Sequence, residues 1–557
     1  MLHNIKFAIR IFLKDKFFST LNILGLALGI AVSVIMLLVL QNDLSYDKYH
    51  TKHKEIYRLG GHLWATGIDV QQARSAREMG DILKEEFPEV QDFVRANDWG
   101  RTMITYKDSK GDEKSWYEEN VVRTDSNYFQ MFDHRFIEGD PKTCLLKLNS
   151  IVISERVAKK IFGKESALGQ QVEINDELNT ITGVIENVPE NTHLKFDVLV
   201  SQLVDVRDWT KEDGGGIKSE AFWNPDVFTY LLFTKDYNVE QFYSKFPAAI
   251  YDKYFKSFGD KVGGHYDPVL ENLADIHFHS KLQGDVPQGN LAYLYAFTGI
   301  GIFIVLLACI NYMNLSTAKS INRAGEIAMK KTLGSSKRAL VFSFLSESIL
   351  LSVIAAILAI GLVFFVIDAT SFNSLISRNL SLNFVDNRSL LLGVLGITIF
   401  IGVLSGIYPA LYLPSIPTLN ALKGAFKNRK SSLYLRKSLT TLQFAISIFV
   451  VVCTWFMRDQ INYVRSKDLG FDKENVVVLS IQDSAVQNHI KAIREEFERN
   501  PKIVGSTVAY NVLGMNSGGG PVMMAETDQG MTQQRFVMLN VGDDYPEDHE
   551  PEVIGWP

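Results

Sequence analysis

The run "FSTLNILGLALGIAVSVIMLLVL", residues 18–40, carries no charged side chain. A bilayer hydrocarbon core of about 30 Å is crossed by roughly 20 residues of helix, so this stretch reads as a membrane span. Its apolar core is longer than the roughly 7–15 residues of a cleavable signal, and no small-x-small site precedes the polar "QNDLSYDKYH" of 41–50, so it reads as a retained anchor. Four more runs of the same kind follow at 293–312, 341–367, 390–413 and 439–457. This segregation explains how 557 residues reach 46% hydrophobic content while still carrying 120 Lys, Arg, Asp and Glu residues.

Charge orients the spans. Residues 42–290 hold 30 Lys and Arg against 42 Asp and Glu, a balance of −12; with −6 for the whole chain, everything else carries +6. The basic residues gather beside the spans in three places: Lys6, Arg10, Lys14 and Lys16; Lys319, Arg323, Lys330, Lys331, Lys337 and Arg338; and Lys423, Lys427, Arg429, Lys430, Arg436 and Lys437. Short basic loops stay on the cytoplasmic side. The N-terminus, 317–340 and 414–437 are then expected inside, and 42–290, 368–388 and 458 onward outside. Nucleic acid is a poor partner for patches that each abut a span in a chain whose large soluble region is acidic. Cys309 and Cys453 fall in expected spans and Cys144 stands alone outside, so no disulfide framework is expected.

The external region reads as mixed α and β. "SAREMGDILKEEFPEV" (75–90) has Met79, Ile82, Leu83 and Phe87 at helical spacing and Pro88 to stop it. "SIVISERVAKKIFGKES" (150–166) reads as a strand turning into a helix, and "QQVEIND" with "NTITGVIENVP" as strands joined by a polar turn. An internal repeat is visible. "FLKDKFFSTLNILGLALGIAVSVIMLLVLQNDLSYDK" (12–48) and "YLRKSLTTLQFAISIFVVVCTWFMRDQINYVRSKDLGFDK" (434–473) share a basic flank, a Thr-Leu-polar entry, an apolar run and a polar exit. The chain thus reads as starting a second copy of its own architecture.

No phosphate loop, H-E-x-x-H, G-x-S-x-G or C-x-x-C motif is present. The glycine triplets at 214–216 and 518–520 lack a phosphate-binding Lys and read as loops. His277 and His279 in "DIHFHS" would share a strand face and could hold a metal, but no second ligand pair completes a site, so a structural role is favoured. Gly25 and Gly29 form a small-x-x-x-small pattern suited to close helix packing, against the alternative that glycine is simply common in spans. Glu347, in the first turns of the third span, is costly if it faces lipid and reads as an interface carboxylate. In "SINRAGEIAMKKTLGSSKRAL" (320–340) a short amphipathic helix is expected. Ile321, Ala324, Ile327 and Ala328 lie on one face, Glu326 and Lys330 form an i, i+4 pair, and Gly334 stands at its end. Such a helix could lie on anionic lipid or dock into a cytoplasmic partner.

The segment "NLSTAKSINRAGEIAMKKTLGSSKRALVFSFLSESILL" resembles the signature of FtsX-like ABC transporter permeases, an R-x-x-E-I-x-x-[KR]-K-x-x-G-[AS] pattern followed by a Glu-Ser pair. The match falls on Arg323, Glu326, Ile327, Lys330, Lys331, Gly334, Ser335, Glu347 and Ser348. "SGIYPALYLPSIPTLNALKG" looks like the same family's fourth span and exit. "NSIVISERVAKKIFGKESALGQQVEI" with "ITGVIENVPENTHLKFDVLVS" is similar to a MacB-like periplasmic core domain.

The resemblance implies an α-helical membrane protein with five spans, an α+β periplasmic domain and the start of a second repeat, as in tandem type VII forms. Its domains are expected as a basic N-terminus (1–17), the first span (18–41), a MacB-like periplasmic core domain (42–290) and the second span (291–316). A coupling-helix loop (317–340) and the third and fourth spans (341–413) follow, with 291–413 forming the FtsX-like domain. A basic linker (414–437), a fifth span (438–457) and the beginning of a second periplasmic domain (458–557) complete the chain. The implied role is a non-catalytic permease subunit in the bacterial inner membrane, with its N-terminus in the cytoplasm. It would bind no cofactor itself and would couple ATP hydrolysis by a separate cytoplasmic ABC ATPase to motion of the periplasmic domain. That motion would serve efflux or extraction of an antibiotic, peptide or lipoprotein. Arg323, Glu326, Ile327, Lys330, Lys331 and Gly334 would form the ATPase contact. Membrane lipid, and a periplasmic adaptor or outer-membrane channel, are the other implied partners. The alternative is a membrane-anchored sensor or regulator of cell-envelope enzymes without transport.

Overall fold

The computed structural model describes residues 16–65, 68–107, 110–201, 218–286, 289–376, 378, 380–384, 387–415, 430–467, 475–481, 483–510, 522–527, 530–535 and 540–542. The glycine triplets and the basic residues Lys6, Arg10, Lys14, Lys423, Lys427 and Arg429 lie outside the described residues. The chain divides into two compact units, Met1–Ser45 with Asn290–Lys467, and Tyr46–Gly289 with Asp468–Pro557.

The first unit consists mainly of long helices: α1 (Lys16–Leu44), α2 (Leu291–Thr332), α3 (Lys337–Ala369), α4 (Arg388–Tyr412) and α5 (Lys430–Ser466). Each is long and apolar enough to cross a membrane. Ile23, Leu26, Ala27, Ile30, Ala31, Val34 and Leu38 recur at helical spacing on α1. They pack with Cys309 and Tyr312 of α2, Ala355, Ala359 and Val363 of α3, and Val394 and Ile401 of α4. Lipid is as apolar as leucine, so such helices associate through close van der Waals fit, and small residues line the contact. The segment between α3 and α4 folds onto the same core through Phe372, Ile376, Leu380, Leu382 and Phe384. Arg378 ties it down with a forked pair to the buried Asp43, Nε to Oδ1 at 2.9 Å and Nη2 to Oδ2 at 2.7 Å. Helix α5 touches α2 through the Phe303–Phe449 rings and a bond from Asn314 Nδ2 to Thr440 Oγ1 at 3.4 Å, and most of its apolar side chains are exposed.

The second unit is α+β. Its strands are β1 (Ile56–Ala65), β2 (Ile68–Gln72), β3 (Val90–Lys107), β4 (Glu113–Thr124), β5 (Phe136–Gly139) and β6 (Ser150–Ser154). They continue with β7 (Gln171–Ile174), β8 (Glu177–Ile185), β9 (Val198–Ser201), β10 (Phe228–Phe233) and β11 (His265–Asn272). One lobe is the antiparallel run β11–β1–β10–β3. The helix Met79–Glu86 and the helical stretch Val239–Val262 cover one face, burying Leu83, Phe87, Phe242, Phe246 and Phe255. In the other lobe β3–β4–β9–β6–β8–β7 returns to β3, closing a six-stranded ring. Ile104, Val121, Ile151, Ile153, Ile174, Ile181 and Val198 form its core, so closure removes edges that a flat sheet would expose.

The helix at 79–86, the strand-to-helix passage at 154–155 and the β7–β8 hairpin form as expected. Ser154 caps the helix Glu155–Phe162, and Asn175 and Asp176 both take positive φ, the turn that matches strand twist. The expected strand at His277 and His279 does not form. Residues Ile276–His279 make one helical turn, begun by Asp275 whose carbonyl receives the His279 N–H, so the two rings do not alternate on a sheet face. His277 instead stacks on Tyr46, with ring centroids 3.5 Å apart and planes 8° from parallel, and its carbonyl accepts the Gly289 N–H at 2.8 Å. The first and last residues of the 46–289 stretch therefore meet at one residue, His277.

Candidate functional site

Residues 320–340 do not form the separate short helix expected. Helix α2 runs without interruption for 42 residues through Thr332. It then ends in a cap at Gly334, whose φ of 91° suits glycine alone. The Gly334 N–H donates to the Lys331 carbonyl and the Ser335 N–H to the Lys330 carbonyl, both at 3.0 Å. Two residues later Ser336 starts α3, its hydroxyl accepting the Ala339 N–H at 3.2 Å. The result is a helical hairpin with a four-residue tip. The 14 residues of α2 beyond Ala318, which precedes the first charged residue of the helix, Lys319, add about 21 Å at 1.5 Å per residue.

Ile327 is buried against Leu340, Phe344 and Tyr412, which roots the hairpin on α3 and α4. Arg323 and Glu326 lie on α2, and their side chains are outside the described residues. Lys330 and Lys331 are half-buried. Partial burial, and then the neighbouring Lys337, lower the Lys331 pKa. Met329 and Leu333, one turn apart, are exposed by 64% and 81%.

A Cβ on Gly29 would stand 2.7 Å from Ala308 Cβ, and one on Gly25 3.3 Å from Asn311 Nδ2, so α1 passes α2 where these glycines face it. Glu347 is half-buried on α3, beside the fully buried Ser348. The tightest helix approach at a glycine among the described residues is one that the reading of the spans did not single out. A Cβ on Gly406 would lie 1.9 Å from Ser348 Oγ, and one on Gly402 2.5 Å from Ser352 Oγ. The signal was present as two facing patterns, S-x-x-x-S at 348–352 and G-x-x-x-G at 402–406.

The α+β unit buries a titratable cluster with no counterpart in the motifs. Asp47, at φ 57°, accepts the Thr192 hydroxyl (2.7 Å) and the His193 N–H (3.1 Å) on Oδ1. Its Oδ2 is 3.0 Å from His193 Nδ1, and His193 Nε2 is 2.6 Å from the Tyr230 hydroxyl. His50 Nδ1 accepts the Asp133 N–H at 3.0 Å, and His134 packs on Tyr128 and Phe196. Burial pulls the pKa of His50 down to about 4 and that of His134 to about 3. Burial pushes the Asp47 carboxyl up, but His193 and the bonds from Thr192 and His193 hold it below its usual range.

The family model of the MacB-like periplasmic core domain matches residues 19–244, and that of the FtsX-like permease C-terminal matches 298–417. The macrolide export ATP-binding/permease protein MacB of Bdellovibrio bacteriovorus is 24% identical over 440 residues, covering 73% of this chain and 60% of that protein. The chain thus spans about 60% of the length of that relative. An uncharacterized ABC transporter permease of Bacillus subtilis, YvrN, is 21% identical over 441 residues, 76% of this chain and 100% of that one. Among solved structures, a domain of a putative permease protein from Porphyromonas gingivalis is 17% identical with a TM-score of 0.33, covering 44% of this chain and 98% of its own. The two family models together span more than half of the sequence, one from the first apolar helix into the α+β unit and the other over α2 to α4. The chain is an FtsX-like ABC transporter permease with a MacB-like periplasmic core domain.

Proposed function

We propose that this chain is the non-catalytic membrane subunit of an ABC system. In this reading a separate cytoplasmic ATPase hydrolyses ATP and the chain converts the resulting motion into movement of its periplasmic domain. The chain itself takes no cofactor. It lies in the bacterial inner membrane with its N-terminus and residues 317–340 in the cytoplasm, and the movement serves export or extraction of an antibiotic, a peptide or a lipoprotein. The observation that carries this reading is the hairpin of α2 and α3, a capped lever continuous with a membrane helix. A helix absorbs little compression along its axis, so a push at the tip reaches the far end of α2. The filled core shared by α1 to α4, closed over by the segment between α3 and α4, supports a mechanical role over conduction through these four helices. Arg323, Glu326, Ile327, Lys330, Lys331 and Gly334 form the contact region, while Gly25, Gly29 and Glu347 serve helix packing.

The test is copurification of the chain with a phosphate-loop ATPase, and stimulation of that ATPase in proteoliposomes. Charge reversal at Glu326 and Lys330 together is expected to remove both. Association and stimulation that survive the reversal place the contact elsewhere.

A further inference from the structure

We propose that the turn leading from α1 into the α+β unit is an acid-labile latch: protonation of His50, on the side of the membrane that carries this unit, releases residues 47–53 from residues 128–134 while the rest of the fold stays closed. The latch is a property of this chain alone, and the outer placement proposed above exposes it to the pH of the medium.

Asp47 follows the last residue of α1, Leu44, by three positions, and residues 45–55 run through turns until β1 begins at Ile56. Both ends of this stretch are fixed by backbone bonds. The Asp47 N–H donates to the Asn191 carbonyl at 2.8 Å, and the Phe233 N–H to the Glu55 carbonyl at 3.0 Å. The middle is held to residues 128–134 through side chains. The Asp133 N–H donates to His50 Nδ1 at 3.0 Å, the Thr51 N–H and hydroxyl both donate to Asp133 Oδ2, the hydroxyl at 2.9 Å, and Lys52 Nζ donates to the Gln130 carbonyl at 2.7 Å. The first of these bonds dictates a protonation state. An imidazole nitrogen that accepts a bond carries no proton, so His50 is neutral in the closed latch. Once protonated, both ring nitrogens are donors, and Nδ1 meets the Asp133 N–H donor against donor.

The surroundings give the added charge no place that spares the latch. Asp47, Tyr49, Lys52 and His53 lie on the same turn as His50, Tyr128, Asp133 and His134 on the facing segment, His193 next to Asp47, and Tyr230 of β10 against His193. The His50 ring packs on Tyr49 and edge-on against Phe132, with centroids 4.0 Å and 5.2 Å away. Two carboxylates could balance an imidazolium, but both are engaged: Asp47 with Thr192 and His193, Asp133 with Thr51. An imidazolium that recruits Asp133 takes it from Thr51, so neutralising the charge and keeping the latch exclude one another. Burial accordingly outweighs the two carboxylates and lowers the His50 pKa to about 4. A released histidine titrates near 6.5, so proton uptake favours the open latch as pH falls below that value, by about 25-fold at pH 5.0 relative to pH 7.5. His134, whose pKa burial also lowers, adds to the effect in the same direction.

Hydrogen–deuterium exchange of the full-length chain in nanodiscs at pH 7.5 and 5.0, corrected for the intrinsic pH dependence of exchange, supplies the test. Peptides from 45–56 and 127–136 should lose about 25-fold or more of their protection and, at pH 5.0, exchange well ahead of peptides from β6 and β8. Unchanged protection in these two peptides overturns the proposal. So does exchange that comes only together with β6 and β8, because the protons then act on global unfolding. H50N separates His50 from its neighbours, since an Asn amide oxygen can accept the Asp133 N–H but takes up no proton. It should keep protection near that of the wild-type chain at pH 7.5 and shrink the acid step by about tenfold or more. A full acid step in H50N overturns the role of His50. No ATPase is present, so either outcome is separate from the fate of the function proposed above.

Discussion

Arg58 shows how much one side chain can hold. It is wholly buried in the sheet lobe, its Nη2 donating to Glu271 (2.6 Å), Asp285 (2.6 Å) and Ser280 (3.0 Å), so β1, β11 and residues 280–285 converge on one guanidinium. Removing one partner of a buried ion pair strands the other charges and costs about 3–5 kcal/mol. R58A should therefore lower the unfolding free energy of the α+β unit by that amount, seen as a lower urea midpoint in tryptophan fluorescence, and R58K should recover part of it while losing the fork. In the membrane unit, Gly406 is the comparable position. G406L must displace Ser348 across a contact too close for any Cβ, and a loss of about 1–3 kcal/mol or more is expected as a lower melting temperature in detergent. A wild-type melting curve for G406L means that α3 and α4 do not pack as described. Gly406 at least sits in a G-x-x-x-G pattern, whereas Arg58 does not stand out in the sequence. Arg58 is one of 57 Lys and Arg residues, and its burial depends on carboxylates more than 200 positions away.

At the level of elements, helical periodicity and cap residues were legible while continuity was not. Gly334 announced the end of a helix and acts so, while the Ser336 cap that starts the next helix was not singled out. Gly325 stands inside α2, between the apolar run of the second span and the basic residues at its end. An interior glycine costs only about 1 kcal/mol, which a helix already nucleated over more than thirty residues absorbs. The cap gives a direct prediction. G334V places a β-branched residue at φ 91°, costing about 1–2 kcal/mol, and should loosen the hairpin, reducing ATPase stimulation while leaving the α+β unit's urea midpoint unchanged. The Arg378–Asp43 fork predicts a rescue. D43A and R378A should each lower the detergent melting temperature, and the swap D43R/R378D should recover part of the loss.

For the whole molecule, pH is the sharpest probe. His50 and His134 are held neutral in the fold with pKa values of about 4 and 3, whereas an unfolded histidine titrates near 6.5. The unfolded chain then binds more protons between pH 6.5 and 4, so stability is present above 6.5 and falls as pH drops through that window. At pH 5 the loss is about 2 kcal/mol per histidine relative to pH 8. H134F should flatten the acid side of a stability–pH curve measured by urea unfolding, and an equally steep curve would place the proton uptake elsewhere. The two-unit plan, the five apolar helices and the local hairpins could be read from apolar runs and turn residues. Closure of the strand ring could not, because it depends on Ile104 pairing with Ile174, and no local pattern records a partnership across seventy positions.

The Tyr46–His277 stack bears on ancestry as much as on stability. Since the chain returns at Gly289 to His277, the residue that Tyr46 stacks on, the intervening polypeptide is a closed excursion whose two ends share one attachment point. Such an excursion can be cut out, exchanged for another of different size, or lengthened at its far side without asking either lead to move.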